Sequence, residues 1–84
     1  MDKKDVIKKI EELIVELKKT NNPTINYYEG IIVKLKSIDS KELQESLLNI
    51  ASHSKIMDYG GYNGKEGQLW EEMSYLAEKL ANTL

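Results

Sequence analysis

The chain contains no cysteine, no arginine, one proline and one histidine. Without cysteine it can form neither a disulfide nor a thiolate metal site, so its fold must rest on packing. Without arginine it lacks the side chain that holds guanine, phosphate or carboxylate through two parallel hydrogen bonds, because lysine supplies only a flexible point charge. These absences argue against a thiol enzyme and against a dedicated nucleic-acid-binding protein.

The charge balance and the hydropathy pattern argue against further classes of protein. Twelve lysines are set against fourteen acidic residues, which gives a net charge of −2, whereas nucleic-acid-binding domains usually carry a basic excess. The longest aliphatic runs, such as Ile31 to Val33, are far shorter than the roughly 20 residues that cross a bilayer. The residues Met1 to Asp5 lead into an amphipathic segment with charges throughout, unlike the continuous apolar run of a secretory signal. We expect a soluble cytoplasmic protein that binds neither nucleic acid nor membrane.

Apolar residues recur at three- and four-residue steps in four segments, which predicts four helices. The predicted helices run from about Asp2 to Lys19, from Pro23 or Thr24 to Ser37, from Ser40 or Lys41 to Ser52, and from the stretch Lys65 to Gln68 toward the C-terminal end. Val15 is expected to widen the buried face of the first helix, and no internal repeat is recognised. With 84 residues available for one domain, we predict an all-α fold, an antiparallel up-down-up-down four-helix bundle.

The segment from Met57 to Gly64 interrupts the helical pattern. Its three glycines can adopt backbone dihedrals that other residues avoid, so we predict a Gly/Tyr loop that leads into the last helix. The residues after Asp58 lack the alternating oxygen ligands of a calcium loop. No strand precedes the glycines, as a phosphate-binding loop would require. The loop is therefore predicted to hold neither a metal nor a cofactor.

Other candidates for chemistry are few. An enzyme would require His53 and Asp58 to converge, whereas the simpler interpretation places His53 at a helix end beside the last carbonyls. The acidic residues of the last helix have no histidine at metal-ligand spacing and are expected to form a solvated face: Glu66, Glu71, Glu72 and Glu78. Gly30, inside the second helix, is either the site of a close helix crossing or a tolerated defect. We predict no enzyme activity.

Tyrosines remain as candidates for a binding surface. A tyrosine on adaptable backbone offers a large rigid contact area with a polar tip at low entropy cost. The candidate partner-binding residues are Tyr59, Tyr62, Tyr27, Tyr28 and Asp58. The alternative is that the tyrosines pack internally and shield one end of the bundle. On the first interpretation the chain is a protein-interaction module.

The sequence combines four short predicted helices and an acidic balance with the segment Tyr59-Gly60-Gly61. This segment precedes a predicted helix that contains Leu69-Trp70. This combination resembles bacterial immunity-type helical bundles and uncharacterised bacterial domains with a Tyr-Gly-Gly loop before the last helix. The resemblance covers under half of the chain and implies a protein that binds and neutralises a toxin. Two alternatives are a homo-oligomer, such as a homodimer, that associates through surplus apolar surface on the first or last helix, and a small enzyme that uses His53 and Asp58.

Overall fold

The computed structural model describes residues 2–38, 40–52 and 60–84. These residues form four α-helices: α1 (Lys3–Lys19), α2 (Ile25–Ser37), α3 (Ser40–Ser52) and α4 (Gly64–Thr83). The described ranges contain no strand. The predicted all-α four-helix bundle is therefore confirmed. None of the described helices is both long enough and apolar enough to cross a membrane.

Local side-chain chemistry determines where two of the helices begin. At the start of α1, the Asp2 carboxylate accepts a hydrogen bond from the Lys4 amide at 2.8 Å, and the Asp2 amide donates to the Asp5 carboxylate at 3.0 Å. The start of α4 carries the same reciprocal arrangement between Asn63 and Glu66. Such capping boxes satisfy amides that have no partner within the helix.

The helices α1 and α4 form the central pair of the bundle. Lys9 lies 3.2 Å from Glu72 across this pair, and Thr20 lies 2.6 Å from Glu66 nearer its other end, so the two helices are antiparallel. The helix α2 packs against α1, and α3 packs against α4. The backbones of α2 and α3 approach each other less closely. A groove therefore remains between α2 and α3.

The predicted apolar stripes form the core. Its largest fully buried apolar side chains come from all four helices: Ile10, Leu13, Leu17, Tyr28, Leu35, Leu47 and Met73. The expectation for Val15 was wrong, because its side chain is 56% exposed. The helices α2 and α4 cover the face of α1 that contains Leu13 and Leu17. Val15 lies on the opposite side of α1 from these two leucines.

Candidate functional site

A network of buried polar side chains connects the α1–α2 turn with the segment before α4. Asn22, which is 7% exposed, donates from Nδ2 to the Gly60 carbonyl at 2.7 Å. Its Oδ1 accepts from the Thr24 amide at 2.9 Å and from the Thr24 hydroxyl at 2.7 Å. Because the Thr24 proton is directed to Asn22, the Tyr62 hydroxyl is the donor in its own 2.7 Å bond with Thr24. The network holds Tyr62 against the start of α2.

The predicted helix bounds leave Asn22 between the first two helices, and apolar spacing does not reveal this network. The available signal was a pair of asparagines followed by Pro23 and Thr24, residue types whose side chains hydrogen-bond to nearby backbone. That signal predicts a local turn. It does not predict the contact with Gly60, which is far away in the sequence.

Glu66 corrects the expectation of an entirely solvated acidic face on α4, because it is 1% exposed. Its Oε1 accepts from the Asn63 amide at 2.9 Å, and its Oε2 accepts from the Thr20 hydroxyl at 2.6 Å. A buried carboxylate is tolerated when its oxygens are hydrogen-bonded. Glu66 therefore ties the C-terminal end of α1 to the N-terminal end of α4. The other acidic residues of this helix, Glu71, Glu72 and Glu78, are exposed or partly exposed.

Tyr28 and Tyr62 lie together beneath the start of α2. Tyr28 is 1% exposed, and its hydroxyl lies near Tyr62 and Trp70 without a hydrogen bond of standard geometry to either. Burial raises the pKa of both tyrosine hydroxyls above the ordinary value. Tyr28 belongs to the core, so the folded chain cannot present it to a partner. Tyr62 is partly buried and anchored by Thr24.

Of the three candidate tyrosines that the structure describes, Tyr27 lies at an open surface. It is 39% exposed, and its ring packs edge-on against Tyr28 with ring centroids 5.1 Å apart and an interplanar angle of 77°. It lines a groove of about 450 Å³ between α2 and α3. Among the residues that the structure describes, those that line this α2–α3 groove are Tyr27, Gly30, Ile31, Lys34, Leu35, Ser46, Asn49 and Ile50. Lys34 is the one charged side chain among these lining residues.

Gly30 contributes to the open shape of the α2–α3 groove. A Cβ atom added at Gly30 would meet no atom within 4 Å. The close helix crossing considered for this glycine is therefore not made by any of the four described helices. A glycine inside a helix costs about 1 kcal/mol relative to alanine. The absence of a side chain at Gly30 leaves free space in the α2–α3 groove.

Among the four described helices, α2 is the most apolar and the least buried. Seven of its thirteen residues are apolar, yet Tyr28 and Leu35 are its only buried members. Val33 is 69% exposed, and Ile31 and Ile32 are partly buried. A second groove, of about 390 Å³, lies on the other side of α2 against α1. The helix therefore offers apolar surface on two sides.

The helices α1 and α2 share an eight-residue pattern, Glu-x-x-Ile-Val-x-Leu-Lys, at residues 11–18 and 29–36. The expectation that the chain has no internal repeat was wrong at this short length. The leucine of each copy, Leu17 or Leu35, is fully buried. The valine of each copy, Val15 or Val33, is 56% or 69% exposed. The repeated pattern can be read from the sequence, but the exposure of each side chain cannot.

The remaining predicted residues, Tyr59, Asp58 and His53, lie outside the described residues. The binding roles of Tyr59 and Asp58, and the enzyme that would use His53 with Asp58, stay predictions. Within the described ranges, no group of three His, Cys, Asp or Glu side chains is placed to hold a metal ion.

Comparisons with protein families, with curated proteins and with solved structures found no match for this chain. The resemblance to immunity-type bundles therefore stays a prediction.

Proposed function

We propose that this protein is a non-enzymatic interaction module that binds a partner protein in the α2–α3 groove. The observation that carries the proposal is the exposure of α2, the helix with the highest apolar content and the fewest buried side chains. Contiguous apolar surface that a chain leaves uncovered is typical of interaction sites. A groove between two helices suits an inserted apolar side chain or the apolar face of a helix.

The lining of the α2–α3 groove specifies the chemistry of the partner. Ile31, which is partly buried, offers apolar contact area above the buried side chains of Leu35 and Ile50, and Tyr27 adds an aromatic ring. Lys34, as the single charge among the described lining residues, favours a carboxylate on the partner. The expected ligand is a protein segment that places an apolar side chain next to an aspartate or glutamate. A toxin as the source of that segment stays a prediction.

Tyr27 is held in a defined orientation before any partner binds. Its ring rests against Tyr28, which is buried in the core, and Tyr28 lies beside Tyr62. Tyr62 is fixed in turn by its hydrogen bond with Thr24. An anchor that is already ordered loses little conformational entropy on binding, which supports a recognition role for Tyr27.

The substitution Gly30→Leu tests the groove without damaging the fold. Because a Cβ at this position meets no atom within 4 Å, the leucine side chain can occupy the groove, and leucine favours a helix more than glycine does. A phage-displayed random peptide library would be selected against the wild-type chain. We expect enrichment of peptides in which an aromatic or aliphatic residue neighbours Asp or Glu. These peptides should bind Gly30→Leu at least about tenfold more weakly.

Gly64→Leu is the matched control. A Cβ at Gly64 also meets no atom within 4 Å, but this residue begins α4 and does not line the groove. Peptide binding should therefore be unchanged in Gly64→Leu. A selection without enrichment, or equal binding by Gly30→Leu and the wild type, would contradict the proposed function.

A further inference from the structure

We propose that two copies of this chain associate face to face through the surface formed jointly by α1 and α2. This α1–α2 face consists of Glu11, Val15 and Lys18 together with Glu29, Val33 and Lys36. It lies on a different side of α2 from the α2–α3 groove. Self-association and partner binding therefore use separate surfaces, and each proposal can fail while the other stands.

The repeated pattern gives the α1–α2 face an approximate twofold symmetry. The helices are joined by the short segment between Lys19 and Ile25 and pack closely, so the two copies of the pattern run in opposite directions. The groove between them is lined by Glu11, Ile14, Val15 and Lys18 from α1 and by Glu29, Ile32 and Val33 from α2. One end of the face therefore carries Lys18 with Glu29. The other end carries Glu11 with Lys36.

The centre of the α1–α2 face is apolar and accessible. Val15 and Val33 are 56% and 69% exposed, and Ile14 and Ile32 lie lower beside the groove of about 390 Å³. Exposed valines at the centre with charged residues at the edges reproduce the usual anatomy of a protein interface, an apolar core inside a polar rim.

Charge complementarity identifies the occupant of this face as a second copy. The four corner charges alternate in sign around the apolar centre, because each helix carries its glutamate first and its lysine last while the helices run in opposite directions. A twofold axis along the helices brings Glu29 against Lys18 of the second copy. A twofold axis across the helices brings Glu29 against Lys36 of the second copy. Either arrangement places every corner glutamate opposite a lysine, and isologous dimers require such self-complementarity.

A dimer of standard size would use most of one long side of the chain. The whole chain extends 34 × 20 × 19 Å along its principal axes. Each partner buries roughly 800 Å² in a standard interface, so the α1–α2 face would form the centre of the contact. A small domain also gains stability from a second copy, because binding to the folded state alone shifts the folding equilibrium.

Sedimentation of the full chain between about 1 µM and 1 mM tests the dimer. We expect the mass to rise from monomer to dimer with concentration. Val33→Asp places an unpaired charge at the apolar centre and should weaken dimerisation at least about tenfold. Because Val33 is exposed, the helix content measured by circular dichroism should not change. Tyr75→Asp, at a 64% exposed position on α4, is the matched control and should leave dimerisation unchanged.

Charge reversal then identifies the arrangement of the two copies. Glu29→Lys should weaken the dimer, because two lysines would face each other. Adding Lys18→Glu restores the dimer if the axis runs along the helices, and adding Lys36→Glu restores it if the axis runs across them. Mixing the corresponding single variants should give a heterodimer.

A monomer throughout the concentration range, a dimer insensitive to Val33→Asp, or a dimer that neither added substitution restores would overturn this inference. Gly30→Leu should leave dimerisation unchanged, and Val33→Asp should leave peptide binding in the α2–α3 groove unchanged. These crossed measurements separate a failure of self-association from a failure of the proposed function.

Discussion

Asn22→Ala should destabilise the bundle by about 3 kcal/mol, because each lost intramolecular hydrogen bond contributes about 1 kcal/mol and its unpaired partners add a desolvation cost. The substitution removes three hydrogen bonds of 2.7, 2.9 and 2.7 Å made by a side chain that is 7% exposed. The Gly60 carbonyl and the Thr24 amide lose these partners. The Thr24 hydroxyl can still bond to Tyr62, which limits the total loss of stability.

This loss is large for a chain of this length. At about 0.05–0.15 kcal/mol per residue, the whole domain is expected to have a free energy of unfolding of roughly 4–12 kcal/mol. A decrease of about 3 kcal/mol should lower the Tm by roughly 15 °C. Urea unfolding followed by circular dichroism, with linear extrapolation to water, gives the free energy directly.

Asn26→Ala is the matched control for Asn22→Ala. Asn26 is an exposed asparagine on α2, so its replacement should change the free energy of unfolding by less than about 0.5 kcal/mol. A double-mutant cycle with Thr24→Val measures the coupling between Asn22 and Thr24, which we expect to be about 1 kcal/mol. A loss below about 1 kcal/mol for Asn22→Ala, with no measurable coupling, would refute the reasoning that this network holds the α1–α2 turn to Gly60.

Four further predictions concern α2 and the segment before α4. Gly30→Ala should stabilise the chain by about 0.5–1 kcal/mol in thermal unfolding, because a helical Cβ is favourable and meets no atom within 4 Å. Gly60→Ala should destabilise the chain, because the added Cβ would lie 2.7 Å from Tyr62 Cε1 and 3.0 Å from Thr24 Cγ2. Equal stability of Gly30→Ala and Gly60→Ala would contradict the packing around these two glycines. Tyr28→Phe removes a buried hydroxyl without a hydrogen-bond partner and should be neutral or stabilising by up to about 1 kcal/mol, whereas Tyr62→Phe loses its bond with Thr24 and should destabilise. Burial raises the pKa of Tyr62 above its ordinary value of 10.0, so the stability due to its neutral form is complete below that pH and is lost as the pH rises through the folded-state pKa. Tyr62→Phe should accordingly flatten the alkaline part of the stability profile, and an unchanged alkaline slope would count against burial of this hydroxyl.

The sequence by itself determined the helices of the described chain. Apolar spacing of three and four residues places Ile10, Leu13 and Leu17 on one stripe, and this periodicity depends only on helix geometry. The cap formed by Asp2 and Asp5 likewise involves residues three apart, so neighbouring positions contain all the information. Hydrophobic burial then requires the stripes to meet, which is why the bundle was predictable.

Only the tertiary structure decided which surfaces are available. Tyr27 and Tyr28 are adjacent in sequence, yet one lines a groove and the other is buried, because neighbouring helical residues point about 100° apart and the position of the other helices selects the buried one. The Glu66 carboxylate is satisfied by Thr20, which is 46 positions away, and Asn22 bonds to Gly60 across 38 positions. Sequence periodicity carries no information on such distant pairs. The exposure of α2, on which both proposals depend, follows from where α1 and α3 lie.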